Sequence, residues 1–412
     1  MDLSKIEKAQ KTIRPHVHRT PLVFSNNLSR LTGSEVYLKL ENLQVTGSYK
    51  VRGAFNKILA SGAKKVIAAS MGNHAQGVAY AAAALGARAR IVMPANVSAV
   101  KEEAVRAYGA DVVLHGESLA QAVEFAADQK DWLFIHPYDD YDVIAGQGTI
   151  ALEIARQMGD RGLKLKPDII VVPVGGGGLA AGIGAAVKKS LFPEAEIVGV
   201  QSDAALSALL SYEAKMPVSK EIISHTLADG IAVSSVGEKT LPLLLEYLSG
   251  IFSVDDGFIA KAVFLLMERK KIVAEGAGAT PLALLLKDPG RFRGKRTVLV
   301  ISGGNVDFTL LDRIVRLGLA DSGRVGAFCL EIDDIPGALN HVTGLLARKR
   351  ANILDIRHER YRGGGRVYRT MVEFVIEARN RRHFEEILDE TNGKEVKTGC
   401  NEIAAHKEVQ TC

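Results

Sequence analysis

The chain has 412 residues, enough for two or three domains at about 150 residues each, with 47% hydrophobic and 24% charged residues, an ordinary balance for a globular protein with a sizeable core. Its formal net charge of +5 suits an anionic ligand but is too small to imply nucleic acid. Three cysteines, Cys329, Cys400 and Cys412, provide neither a disulfide framework nor a zinc-binding spacing.

The opening stretch, "MDLSKIEKAQKTIRPHVHRTPL", mixes charge into every turn and lacks the apolar core of a signal peptide. No uninterrupted apolar run is long enough to span a bilayer, so a cytoplasmic protein without a membrane partner is expected. From Lys64 to about Asp131, short β-rich runs ("KKVIAAS", "ARIVMP", "DVVLHG") each lead into an Ala-rich stretch of helical length. Buried strand followed by helix, repeated, predicts a parallel sheet with crossover helices, and Gly86 and Gly109 stand where helix C-caps belong. After the long helical stretch "DVIAGQGTIALEIARQMG", a second series follows: "DIIVVPV", "GGGGLAAGIGAAVKKS", "EIVGVQS" and, much later, "RTVLVIS". Two α/β units are therefore expected, a smaller one over 46–150 and a larger one from 1–45 and 151–320. The composition changes after about Asp321, and 325–400 reads as a separate small α+β module, β-α-β-turn-β-α. Its strands are "VGAFCLEI", "ILDIRHERY" and "RVYRTMVEFVIEA", with Gly363, Gly364 and Gly365 as the turn between the last two.

Three strand-to-helix turns carry candidate chemistry. In "VVPVGGGGLAAGIGAA", a buried strand runs into Gly175, Gly176, Gly177, Gly178 and Leu179. Four residues without Cβ let backbone N–H groups converge at a helix N-terminus, which suits a phosphate. The stretch is not a P-loop, and it fits the dinucleotide spacing only loosely, with Gln201 where an acidic residue would be needed. "AASMGNHAQG" puts Ser70, Asn73 and His74 at a helix start, a place for a carboxylate or phenolate oxygen, or simply for an N-cap. "VLVISGGNVD" ends a buried strand with Ser302 and two glycines, where α/β ligands bind. Lys50, in "GSYKVRGAFNKI", opens a further helix. Each fragment alone is open between a ligand site and a turn.

Together, "ENLQVTGSYKVRGA", "SMGNHAQG", "GGGGLAAG" and "SGGNVD" resemble, in this order, the threonine/serine dehydratases, pyridoxal 5'-phosphate enzymes of fold type II (tryptophan-synthase-β-like), over about residues 5 to 320. The resemblance implies that Lys50 is the Schiff-base lysine and, once freed by substrate, the base that takes the Cα proton. It implies that Gly175, Gly176, Gly177, Gly178 and Leu179 cradle the phosphate, that Asn73 bonds the ring's phenolate oxygen, and that Ser70 and His74 help seat the substrate carboxylate. Ser302 would face the pyridine nitrogen, and a neutral hydroxyl there weakens the ring as an electron sink and suits β-elimination.

Two departures bear on the activity. Met71 stands where related serine racemases carry the serine that is their second base, so racemisation is not expected. Some relatives bind a divalent cation downstream of the glycine turn; "GVQSDAALS" has Gln201 and Ser207 there, and no metal is expected despite Asp203. The C-terminal module resembles a ferredoxin-like ACT domain, whose loop "EIDDIPGALNHV" would offer Ile335, Pro336, Gly337 and Ala338 to an amino-acid effector, isoleucine or valine. Its arginines and lysines, Arg348, Lys349, Arg350, Arg357, Arg360, Arg362, Arg366 and Arg369, read as a solvated face rather than an RNA surface. The expectation is a homotetrameric threonine ammonia-lyase, active also on serine. A β- or γ-replacement enzyme on the same scaffold and a non-catalytic amino-acid sensor are the alternatives.

Overall fold

The computed structural model describes residues 1–159, 166–220, 222, 225–359 and 367–396. The chain divides into two compact units, Met1–Val306 and Asp307–Cys412.

Among its described residues the first unit contains ten strands: β1 Leu22–Phe24, β2 Glu35–Leu40, β3 Lys65–Ala69, β4 Arg88–Met93, β5 Asp111–Leu114, β6 Leu133–Phe134, β7 Ile169–Pro173, β8 Glu196–Ser202, β9 Gly250–Val254 and β10 Arg296–Ile301. They form a six-stranded sheet in the order β1-β2-β10-β7-β8-β9 and a four-stranded sheet in the order β5-β4-β3-β6. Every pairing is parallel except β1 with β2. Strand β7, "IIVVP", is buried along its whole length, as a parallel strand with both faces covered must be. Because the strands are parallel, their carboxyl ends gather at one edge of each sheet. That edge is where the helices Asn73–Ala84 and Gly178–Ala186 begin, after β3 and β7.

Glycines set how closely the helices approach. A Cβ on Gly146 would lie 2.6 Å from the Arg52 carbonyl oxygen, and one on Gly182 would lie 2.4 Å from the Ile144 carbonyl oxygen. The helix Tyr141–Gly159 is thereby wedged between the helices Lys50–Ser61 and Gly178–Ala186. Beneath the first turn of the Lys50 helix lies a closed charge cluster. Arg52 donates to Glu41 from Nε at 2.8 Å and Nη2 at 2.9 Å, and to Glu153 from Nη1 at 2.7 Å and Nη2 at 3.0 Å. Its remaining bonds go to Thr149 Oγ1 and the His18 carbonyl, both at 3.2 Å. Lys39 Nζ reaches Glu153 at 2.6 Å and the Thr20 carbonyl at 2.7 Å. Burial works against the Arg52 charge, but Glu41 and Glu153 outweigh it and hold the guanidinium above its ordinary range.

The second unit holds the helix Phe308–Asp321, then β11 Val325–Asp333, the helix Ala338–Arg348, β12 Asn352–Glu359, β13 Arg369–Glu377, the helix Arg381–Thr391 and β14 Lys394–Val396. Its antiparallel sheet runs β12-β13-β11-β14, and Phe328, Phe374 and Phe384 are fully buried in its core. The Phe308 helix is grouped with this second unit. Strand β14, "KEV", is absent from the sequence-based expectation: three residues, two of them charged, carry no periodicity. Gly363, Gly364, Gly365, Arg360, Arg362, Arg366, Cys400 and Cys412 lie outside the described residues.

Candidate active site

Lys50 is the first residue of its helix, and the two residues before it are tied to the end of β10. Ser48 bridges Gly303, and the Tyr49 N–H donates to the Ser302 carbonyl at 3.1 Å. These bonds set Ser302, itself 2% exposed, beside the turn that carries the lysine. Lys50 Nζ donates to the Pro137 carbonyl at 3.0 Å. Burial pulls the Lys50 ammonium down to about 8, with Glu275 acting in the opposite sense. At that value a usable fraction is neutral amine near neutral pH, and a neutral amine is a nucleophile and a base.

The Asn73 helix packs directly on this turn: a Cβ on Gly77 would lie 3.0 Å from the Val51 nitrogen and 3.2 Å from the Lys50 carbonyl carbon. Gly72, not a serine or asparagine side chain, occupies the cap position, so Asn73 is not spent on capping. Its Nδ2 lies 2.9 Å from both carboxyl oxygens of Glu275, and its Oδ1 accepts from Asn305 Nδ2 at 2.8 Å. An amide nitrogen carries two hydrogens, so one remains for a ligand. Ser70 Oγ accepts from the Gly72 N–H at 3.2 Å, and its own hydroxyl hydrogen is not used in that bond. His74 is 4% exposed and donates from Nε2 to the Ile135 carbonyl at 2.8 Å. Burial, reinforced by Lys50, pushes its imidazole down to about 3, so it is neutral.

The glycine turn adjoins the loop of Pro137 and Tyr138 that Lys50 reaches. Gly177 has φ +96° and precedes the first turn of the Gly178 helix. None of the backbone N–H groups from Gly175 to Leu179 is bonded in the turns and loops of the described residues. The Gly176 carbonyl, by contrast, accepts from Thr240 Oγ1 at 2.6 Å. Tyr138 lies flush against the turn: a Cβ on Gly176 would stand 2.3 Å from its ring, and one on Gly178 would stand 2.9 Å from its carbonyl oxygen. Unpartnered N–H groups at a helix start, in a turn where a side chain would not fit, match the donor set a phosphate monoester needs. With an amine at Lys50, they fit pyridoxal phosphate.

Sequence reasoning did not single out His136, Tyr138, Thr240, Glu275 or Asn305. His136 Nδ1 accepts from the Asp139 N–H at 2.8 Å and shapes the loop that presents the Pro137 carbonyl to Lys50. The signal available for that loop was its place after β6, at a strand's carboxyl end. Gln201 is buried, with its Nε2 lacking a partner among the described residues, and Ser207 donates to the Val233 carbonyl. In the second unit, Ile335 is 58% exposed and Gly337 has φ +93° at the start of its helix.

Residues 13–303 match the model of a family described as pyridoxal-phosphate dependent enzymes. The chain is 42% identical over 392 residues to the L-threonine ammonia-lyase of Thermotoga maritima, covering 93% of this chain and 96% of that one. It is 40% identical over 398 residues to the L-threonine ammonia-lyase of Geobacter sulfurreducens, covering 94% and 96%. Among solved structures, the processed form of threonine deaminase isoform 2 from Solanum lycopersicum superposes with a TM-score of 0.70 at 34% identity, over 77% of this chain and 94% of that one.

Proposed function

The chain belongs to the pyridoxal-phosphate dependent enzyme family, and on that premise we propose that it is a threonine ammonia-lyase, turning L-threonine into 2-oxobutanoate and ammonia and accepting L-serine as a second substrate. What supports the reading is a lysine of lowered basicity whose turn is tied to Ser302 and packed on the Asn73 helix, together with a glycine turn of unpartnered N–H groups. Curated relatives at 40–42% identity over more than nine-tenths of the chain support the substrate.

Bound pyridoxal phosphate supplies an aldehyde for a lysine amine and a conjugated ring that accepts electrons released at an amino acid's Cα. Lys50 Nζ holds the cofactor and then takes the Cα proton; a positioned base of this kind contributes on the order of 10²–10⁴ in rate. Gly175 to Leu179 bind the phosphate by backbone N–H groups, and Thr240 keeps the Gly176 carbonyl turned away from it. Asn73 offers its second amide hydrogen to the ring oxygen, and Asn305 and Glu275 fix the orientation of that amide. Ser302 offers a neutral hydroxyl to the ring nitrogen. Ser70 seats the substrate carboxylate with its hydroxyl hydrogen, while His74 anchors the helix that carries the site through Ile135. Met71 has no proton to exchange, which favours elimination over racemisation.

The β-α-β-β-α-β order of the second unit, with β11 and β13 central, supports a ferredoxin-like ACT reading. Its turn of exposed Ile335, Pro336 and Gly337 leading into Ala338 is the proposed site for isoleucine or valine, and the assembly is proposed to be a homotetramer. The test is 2-oxobutanoate release from L-threonine with and without isoleucine, with Lys50→Ala as the control. Release that isoleucine alters supports both parts; release that ignores isoleucine and valine removes the effector proposal. No release from cofactor-loaded wild-type protein refutes the lyase.

A further inference from the structure

The loop after β6 carries two adjacent aspartates that serve different helices. Asp140 Oδ1 accepts from the N–H groups of Asp142 at 2.8 Å and Val143 at 3.1 Å, and so caps the helix that follows it, Tyr141–Gly159. Asp139 turns the other way. Its Oδ1 accepts from the N–H groups of Lys239 at 2.8 Å and Thr240 at 3.1 Å, at the start of the helix Thr240–Tyr247. Lys239, at the cap position of that helix, supplies no side-chain bond, so the cap comes from a distant segment. Gly237 makes room for it, since a Cβ there would run into the Asp139 carboxyl.

The capped turn leads to the glycines. Thr240 is fully buried, and its hydroxyl donates to the Gly176 carbonyl at 2.6 Å while accepting from the Gly237 N–H at 3.0 Å. A trans peptide points its N–H opposite to its C=O, and no peptide among the described residues is cis. Anchoring the Gly176 carbonyl on Thr240 therefore turns the Gly177 N–H to the opposite side, where it has no partner among the described residues. With glycine on both sides, no side chain resists rotation of this peptide, and a flipped peptide would present a carbonyl oxygen to an anion in place of a donor. The same loop also meets the lysine: the Pro137 carbonyl accepts from Lys50 Nζ at 3.0 Å. His136 Nδ1 braces the loop from within by accepting from the Tyr138 and Asp139 N–H groups at 3.3 and 2.8 Å.

We propose that Asp139 is a positioning residue for the cofactor's phosphate: by capping the Thr240 helix it holds Thr240 on the Gly176 carbonyl and keeps the Gly177 N–H turned to the anion. This rests on the reading of the glycine turn as the phosphate site. Asp139 acts through Thr240, so its loss weakens the grip on the phosphate and not on the rest of the cofactor.

The test compares the dissociation constants of the full-chain protein for pyridoxal phosphate and for pyridoxal, which lacks only the phosphate, by visible-absorbance titration of cofactor-free protein. The readout is the preference for the phosphorylated form, the ratio of the two constants. In Asp139→Ala that preference is expected to fall about tenfold, the lower end of what a hydrogen bond to a charged group contributes, with pyridoxal bound as in wild type. An unchanged preference, including one in which both ligands weaken together, overturns the proposal and leaves the phosphate site standing. A preference that rises also overturns it, because the carboxylate would then only repel the anion. A wild type that binds both ligands alike refutes the glycine turn as the phosphate site instead. If Asp139→Ala does not fold by circular dichroism, Thr240→Val decides, since it removes the hydroxyl and keeps the branched shape. The same tenfold fall supports the proposal there, and an unchanged preference overturns it.

Discussion

Arg52→Ala removes the guanidinium from the centre of the charge cluster below the Lys50 helix. In the native chain Glu41 and Arg52 are fully buried, and Glu153 and Lys39 complete a set of two cations and two anions. Without Arg52, Lys39 still pairs with Glu153, while Glu41 keeps only the short bond from Thr20 at 2.5 Å. Removing one partner of a buried pair costs about 3–5 kcal/mol, because the charge left behind has lost water and gained nothing. Against a total stability of about 5–15 kcal/mol, that is a large fraction. With a denaturant slope of about 3 kcal/mol/M, the urea midpoint of the full chain should fall by about 1–1.7 M, read by circular dichroism. The same reasoning makes a second demand. Replacing Lys39, Glu41, Arg52 and Glu153 together by Met or Leu strands no charge, so that variant should recover most of the loss. A midpoint for Arg52→Ala within about 0.3 M of wild type, or a fourfold variant less stable than the single one, would falsify this account of the cluster.

Two further outcomes are expected. Gly176→Ala drives a methyl to 2.3 Å from the Tyr138 ring, so either the ring or the turn must give. At about 1–3 kcal/mol for overpacking, pyridoxal phosphate should dissociate roughly 5- to 150-fold more readily, measured by equilibrium dialysis, and unchanged retention would mean the turn does not bind it. His74 bears on acid stability. Its folded value is depressed to about 3 from an ordinary 6.5, so its contribution is complete above pH 6.5 and is lost as the pH falls towards 3. The slope is about 1.4 kcal/mol per pH unit, and the urea midpoint difference between pH 7.5 and 5.5 should shrink in His74→Gln. An identical difference in both proteins would show that the imidazole is not buried as described.

What was legible in the sequence follows from how each residue does its task. Gly175 to Gly178, Asn73 and Ser302 stand at turns where a strand becomes a helix or ends, and each demand there is local. Gly177 needs φ +96°, which a side chain resists, and the turn's N–H groups need a helix behind them. Local demands leave local signatures, so the quoted motifs were sufficient to name the cofactor family. The parallel α/β architecture was readable for the same reason: a fully buried β7 must be apolar throughout, and its helix must follow. Glu275 is the opposite case. Its partner Asn73 is 202 residues away, and nothing in "VAEGAGATP" distinguishes a glutamate that caps a helix from one that faces across the crevice. In the fold the carboxyl turns off the helix, lies beside Gly303 and meets Asn73. The cluster of Lys39, Glu41, Arg52 and Glu153 was hidden likewise, since a charged residue in sequence reads as surface and only the fold removes its water. Both exceptions belong to one class: buried charges whose partners come from distant segments. Arg52 acts through the helix that begins at Lys50 and Glu275 through the amide of Asn73, so the features least visible in the sequence help to place its most visible residues.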